Sequence, residues 1–135
     1  MDDIFKKMYK EAIRNIDIVN ISPFLSTGEI ACVILSDENK LYRGINIIED
    51  NKVKITAEEA AIASLLSNGG KVIKRIVIVN ELGEVIKPSI QAYARLLDFA
   101  PKKDIDVLTS TDPFVVCKLK DLLPDFYGTF RVEEE

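Results

Sequence analysis

Strands that alternate with helices after an opening helix and hairpin predict an α/β sandwich built on a mixed sheet. Three observations carry this. An amphipathic stretch opens the chain. Two apolar runs flank the polar turn Asp37-Glu38-Asn39-Lys40. Two segments that begin with capping residues, Thr56 and Ser89, bracket the apolar run Arg75-Ile76-Val77-Ile78-Val79-Asn80.

From Asp3 to Ile18, Ile4, Phe5, Met8, Tyr9, Ala12, Ile13 and Ile16 recur at helical spacing and mark one buried stripe. Asn20 to Gly28 reads as a loop, punctuated by Ser22-Pro23 and Thr27-Gly28. Ile30 to Leu35 is a nearly all-apolar strand, and Leu41 to Ile48 is the second arm of its hairpin. Glu49 to Lys54 is a polar connection. Thr56 to Leu66 is a helix that Asn68-Gly69-Gly70 stops. Arg75 to Asn80 is a central strand covered on both faces, and Glu81-Leu82-Gly83-Glu84 is a turn. Ser89 to Ala100 is a helix halted before Pro101. Ile105 to Thr109 and Phe114 to Lys118 are strands. Leu119 to Leu123 is a short helix ending at Pro124, and Glu133-Glu134-Glu135 a fraying tail. These are five strands of one domain spanning residues 1–135.

Composition narrows the chemistry. The chain is 47% hydrophobic and 30% charged, which suits a globular domain with a real core. It has no His, so the commonest metal ligand and acid–base group is missing. Its two cysteines, Cys32 and Cys117, sit in apolar runs and read as buried thiols rather than a disulfide or ligands, as suits a reducing cytoplasm. The net charge of −4 argues against nucleic acid or an anionic membrane surface as partner. No apolar run is long enough to span a membrane, so no membrane association is expected.

The helix starts Thr56-Ala57-Glu58-Glu59 and Pro88-Ser89-Ile90-Gln91-Ala92 resemble the two zinc-binding helix starts of the cytidine deaminase family. That family carries Cys/His-Ala-Glu at the first and Pro-Cys-x-x-Cys at the second. Other landmarks resemble it in order: Ser22-Pro23-Phe24, Leu41-Tyr42-Arg43-Gly44-Ile45-Asn46, Glu58-Glu59-Ala60-Ala61-Ile62, Arg95-Leu96-Leu97-Asp98-Phe99, and Asp121-Leu122-Leu123-Pro124 with Phe126 and Gly128. The resemblance implies a cytidine deaminase-like three-layer α/β/α sandwich with a mixed five-stranded sheet. It also implies a homo-oligomer, dimer or tetramer, in which neighbouring chains complete each pocket.

In the family, zinc activates a water and the Glu shuttles protons. Here Thr56, Ser89 and Ala92 stand at the three ligand positions. A neutral hydroxyl is a poor zinc ligand and a methyl is none, so zinc is expected to be absent. Glu58 keeps the proton-shuttle position as a vestige. Glu59 replaces the Arg that supports the thiolates. Thr27 aligns with the Phe that packs on the pyrimidine, and of the ribose-binding Asn-x-Glu pair Asn46 remains while Ile48 replaces Glu. Asn46, Thr27 and Ser89 are the residues expected to touch a nucleoside or nucleotide.

Simpler roles stand beside these. Thr56-x-x-Glu59 is a capping box, and Ser89 is an N-cap. Asn46 bonds a sugar hydroxyl or satisfies its own turn. Tyr93 fills space near the former metal site or packs against a neighbouring chain. The leading expectation is a catalytically inactive homologue serving as a nucleoside-binding, structural or regulatory subunit. The alternatives are a working hydrolytic deaminase that uses Glu58 with an unconventional or partner-supplied metal site, and an inactive partner of an active deaminase.

Overall fold

The computed structural model describes residues 2–102 and 104–122. Asp2 Oδ1 accepts from the Phe5 backbone N–H at 2.8 Å and caps α1 (Asp3–Asn15). Its carboxylate also meets Arg75 at 3.0 Å, and that guanidinium lies 4.8 Å from the Phe5 ring centroid. The Phe5 N–H first, and Arg75 with it, hold the Asp2 carboxyl below its usual range. Phe5, Met8 and Ala12 form the buried stripe. The helix stops three residues before the predicted Ile18: Ile16 is extended, its N–H bonds Ile13 O at 3.2 Å, and the chain then enters the sheet.

Among the described residues seven strands form one sheet: β1 (Val19–Ser22), β2 (Leu25–Ser36), β3 (Leu41–Glu49), β4 (Lys52–Ile55), β5 (Ile73–Asn80), β6 (Asp106–Thr111) and β7 (Phe114–Lys118). Their order is β4-β3-β2-β5-β6-β7, with β1 paired to β2. Only β5 and β6 run parallel, so the sheet is mixed, as predicted. The sheet has seven strands rather than five because β1 and β4 are strands where a loop and a polar connection were expected. Every residue of both is exposed. Each alternates apolar and polar residues over only four positions, Val19-Asn20-Ile21-Ser22 and Lys52-Val53-Lys54-Ile55, too short a run to stand out among polar neighbours, and backbone pairing to β2 and β3 holds them.

The central strands alternate faces. Cys32, Ile34, Ile76 and Ile78 pack with Ala57, Ala61, Ile62 and Leu65 of α2 (Ala57–Ser67) and with Ala92, Tyr93 and Leu96 of α3 (Ile90–Leu97). Ala31, Val33, Leu35, Val77 and Val79 pack with Phe5, Met8 and Ala12 of α1 on the opposite side. This gives the three layers.

The α3 helix ends at Leu97 rather than Ala100. Phe99 N–H bonds Leu96 O at 3.0 Å and Ala100 N–H bonds Leu97 O at 3.2 Å, tight turns that precede Pro101. Leu119–Leu122 form a 3-10 helix. Leu123, Pro124, Phe126, Gly128 and the Glu133–Glu135 tail lie outside the described residues.

Two glycines set the geometry near the helix starts. In β2 the register runs Thr27↔Ile47 and then Ala31↔Ile45, so β2 carries extra residues in a bulge. Gly28 sits there at φ +85°, and a Cβ on it would lie 1.9 Å from Asp17 O. Gly44 in β3 is where α2 comes closest: a Cβ there would lie 2.2 Å from Ala61 N and 2.4 Å from Ala57 O. Gly44→Ala must therefore push the whole α2 backbone away and should cost about 3 kcal/mol in urea unfolding. Gly69→Ala, at φ +84° with nothing within 4 Å of the added carbon, should cost only about 1 kcal/mol. Equal costs would contradict the close approach of α2 to β3.

Candidate functional site

The close approach at Gly44 brings the N-terminus of α2 over Asn46, two residues further along β3 on the same face. The α3 N-terminus arrives by a different route. Val85 bridges to Val79, and the Ile86 N–H bonds Ile78 O at 2.9 Å. The segment Ile86-Lys87-Pro88-Ser89 is thereby laid from the side of β5 toward α2. The two helix starts meet at a cavity of ≈120 Å³ lined by Ile30, Asn46, Val53, Thr56, Ala57, Glu58, Ile86, Lys87 and Ser89.

Glu58 is 3% exposed. Its Oε2 accepts from the Ser89 backbone N–H at 3.1 Å and from Ser89 Oγ at 3.0 Å. Ser89 Oγ also accepts from the Ala92 N–H at 3.2 Å, as the N-cap of α3. On α2, Thr56 Oγ1 accepts from the Glu59 N–H at 3.0 Å while Glu59 Oε1 accepts from the Thr56 N–H at 3.1 Å: the capping box is formed. Glu59 Oε2 then pairs with Arg95 of α3 at 2.9 Å. Both carboxylates lie in the first turn of α2, where the helix dipole favours negative charge.

These residues do not suit zinc. Thr56 and Ser89 offer neutral hydroxyls already used in caps, and Ala92 offers a buried methyl. Cys32 is no substitute. Its thiol is buried beside the carboxylate, and burial first, then the Glu58 charge, pushes it well above the usual thiol range. Among the described residues no group of three or more His, Cys, Asp or Glu side chains is placed to hold a metal ion.

Asn46, Thr56, Glu58 and Ser89 thus line one cavity. Asn46 is not at a strand end. It lies opposite the β2 bulge, where its Oδ1 accepts from the Ile30 N–H at 2.9 Å and fills a gap in the ladder. Thr27 is not brought to the cavity. It pairs with Ile47, whose row includes Ile45 on the α1 side of the sheet, opposite Asn46. Ala92 lies buried behind Ser89, outside the lining. Tyr93 is 1% exposed and packs into this chain's own core.

Sequence reading missed Ile30, which it took only as the start of a strand, and Val53, Ala57, Ile86 and Lys87 as lining residues. Ala57, Ile86 and Lys87 adjoin the two helix starts and were legible by adjacency. Val53 belongs to the unanticipated β4 and carried no signal.

No protein-family model matches the chain, and no curated protein matches it by sequence. Solved structures do match. The cytidine deaminase from Mycobacterium tuberculosis is 21% identical at a TM-score of 0.70, with 92% of this chain and 97% of that one covered. The enzyme from Mycobacterium leprae is 19% identical at 0.71, covering 91% and 99%. The one from Bacillus anthracis is 17% identical at 0.67, covering 98% of each. These superpositions show that the chain has the fold of the cytidine deaminases.

Proposed function

We propose that this protein is a zinc-free, non-hydrolytic cytidine deaminase homologue that acts as a binding or regulatory subunit in a homo-oligomer. One observation carries the reading: Glu58 Oε2 accepts both the N–H and the hydroxyl of Ser89. The carboxylate at the proton-shuttle position and the residue at a metal-ligand position are committed to each other. Hydrolytic deamination by this chemistry needs a metal-activated water and a carboxylate that takes up and returns protons. The opposite sign at Glu59 supports the same reading, since that side chain is spent on Arg95 and the Thr56 cap.

A working hydrolytic deaminase would need ligands from another chain. A nucleoside would also need a neighbouring chain to extend the pocket, because ≈120 Å³ is below the roughly 300–1,000 Å³ usual for small-molecule sites. Among the described residues no helix is long and apolar enough to cross a membrane.

The purified protein should contain well under one zinc per chain by elemental mass spectrometry, and should release no more ammonia from cytidine than Glu58→Ala does. A full zinc complement, with ammonia release abolished by Glu58→Ala, would overturn the proposal. The triple variant Thr56→Cys, Ser89→Cys, Ala92→Cys should gain about one tightly held zinc per chain in a chelator competition, since thiolates at convergent helix starts suit tetrahedral zinc. A triple variant that folds but takes up no zinc would show that the positions do not converge.

A further inference from the structure

We infer that the outer crest of α1 binds a compact oligophosphate chain, the size of a triphosphate, through Lys6, Lys7, Lys10 and Arg14. The crest lies across the sheet from Glu58, so binding there is independent of the metal state of the candidate site. Phe5, Met8 and Ala12 turn the inner side of the helix to the sheet, and helical spacing leaves the four cations exposed on the outer side. With Asp3 and Glu11 they border a shallow hollow of ≈380 Å³.

Charge on this crest is unbalanced. Glu11 is committed to Arg14 at 2.8 Å and to Arg43 at 3.2 Å. Lys6, Lys7 and Lys10 form no ion pair among the described residues. Lys10 stands four residues from Lys6 and three from Lys7, so like charges face one another, an arrangement that destabilises a helix. The chain as a whole carries −4, so this crest is a local excess of the opposite sign. An anion that spans Lys6, Lys7 and Lys10 turns their repulsion into attraction.

The chemistry of the crest selects the anion. The hollow is lined only by charged side chains, so nothing there grips an aromatic base or an acyl chain. Lys10 lies about 5–6 Å at Cβ from both Lys6 and Lys7. Neighbouring phosphates in an oligophosphate are closer together than one helical turn, so one short chain reaches all three ammonium groups. Screening at physiological salt acts over about 8 Å, so a compact ligand feels the crest alone, whereas a nucleic acid or a membrane also meets the acidic remainder of the protein. Asp3 borders the hollow without an ion pair among the described residues and opposes the ligand at one end.

The probe is inorganic tripolyphosphate, titrated by amide NMR at low salt. It should shift the Lys6, Lys7, Lys10 and Arg14 amides saturably, with Kd on the order of 0.1 mM. Raising salt from about 20 to about 200 mM should weaken binding at least about tenfold. Lys6→Gln combined with Lys10→Gln keeps good helix formers on an exposed face and should weaken binding by at least about tenfold. Lys71→Gln combined with Lys102→Gln removes the same charge from exposed positions elsewhere and should weaken it less than about twofold. ATP should bind within about threefold of tripolyphosphate, because its base finds no apolar or aromatic partner on the crest. No saturable shift at α1, or equal losses in the two double variants, overturns the site. ATP binding more than about threefold tighter than tripolyphosphate overturns the phosphate-chain assignment in favour of a nucleotide.

Discussion

Two helix N-termini pointing at one another place like partial charges face to face, and such an arrangement needs negative charge between them. In this fold that charge is the Glu58 carboxylate, buried between the starts of α2 and α3 and held by the Ser89 N–H and hydroxyl. The Glu59–Arg95 pair makes a second tie between the same helices, nearer the surface. The clamp ties the start of α2, which lies over Gly44, to the segment from Ile86 to Ser89, and the cavity lies where the two meet.

The clamp separates fold from chemistry. Identities of 17–21% over more than nine-tenths of the chain accompany TM-scores of 0.67–0.71 with cytidine deaminases. The core that fixes that fold is spread over both faces of the sheet, from Phe5 on one side to Leu96 on the other. Hydrolytic chemistry would depend on a few positions only, because packing is distributed and catalysis is local.

Much of this was legible in the sequence because the signals were local. The Thr56-x-x-Glu59 box and the Ser89 cap announce their helices, and each forms the bonds that its spacing implies. The central strands were legible from unbroken apolar runs. What was hidden depends on neighbours. The β1 and β4 strands are short and exposed, so only their pairing makes them strands. Thr27 stands four residues before Ala31, an even step that keeps it on the α1 face, and the bulge at Gly28 adds two residues without changing that alternation. The role of Asn46 depends on the same bulge: its amide replaces a ladder bond that regular pairing would have made.

The central claim is that Glu58 and Ser89 act as one structural unit. A double-mutant cycle of Glu58→Ala and Ser89→Ala, read by urea unfolding of the metal-free protein, tests it most directly. The two substitutions should be non-additive by about 1–2 kcal/mol, as for a buried hydrogen bond to a charged group. Additivity to within about 0.5 kcal/mol would contradict the clamp, leaving Glu58 a buried carboxylate with no structural task.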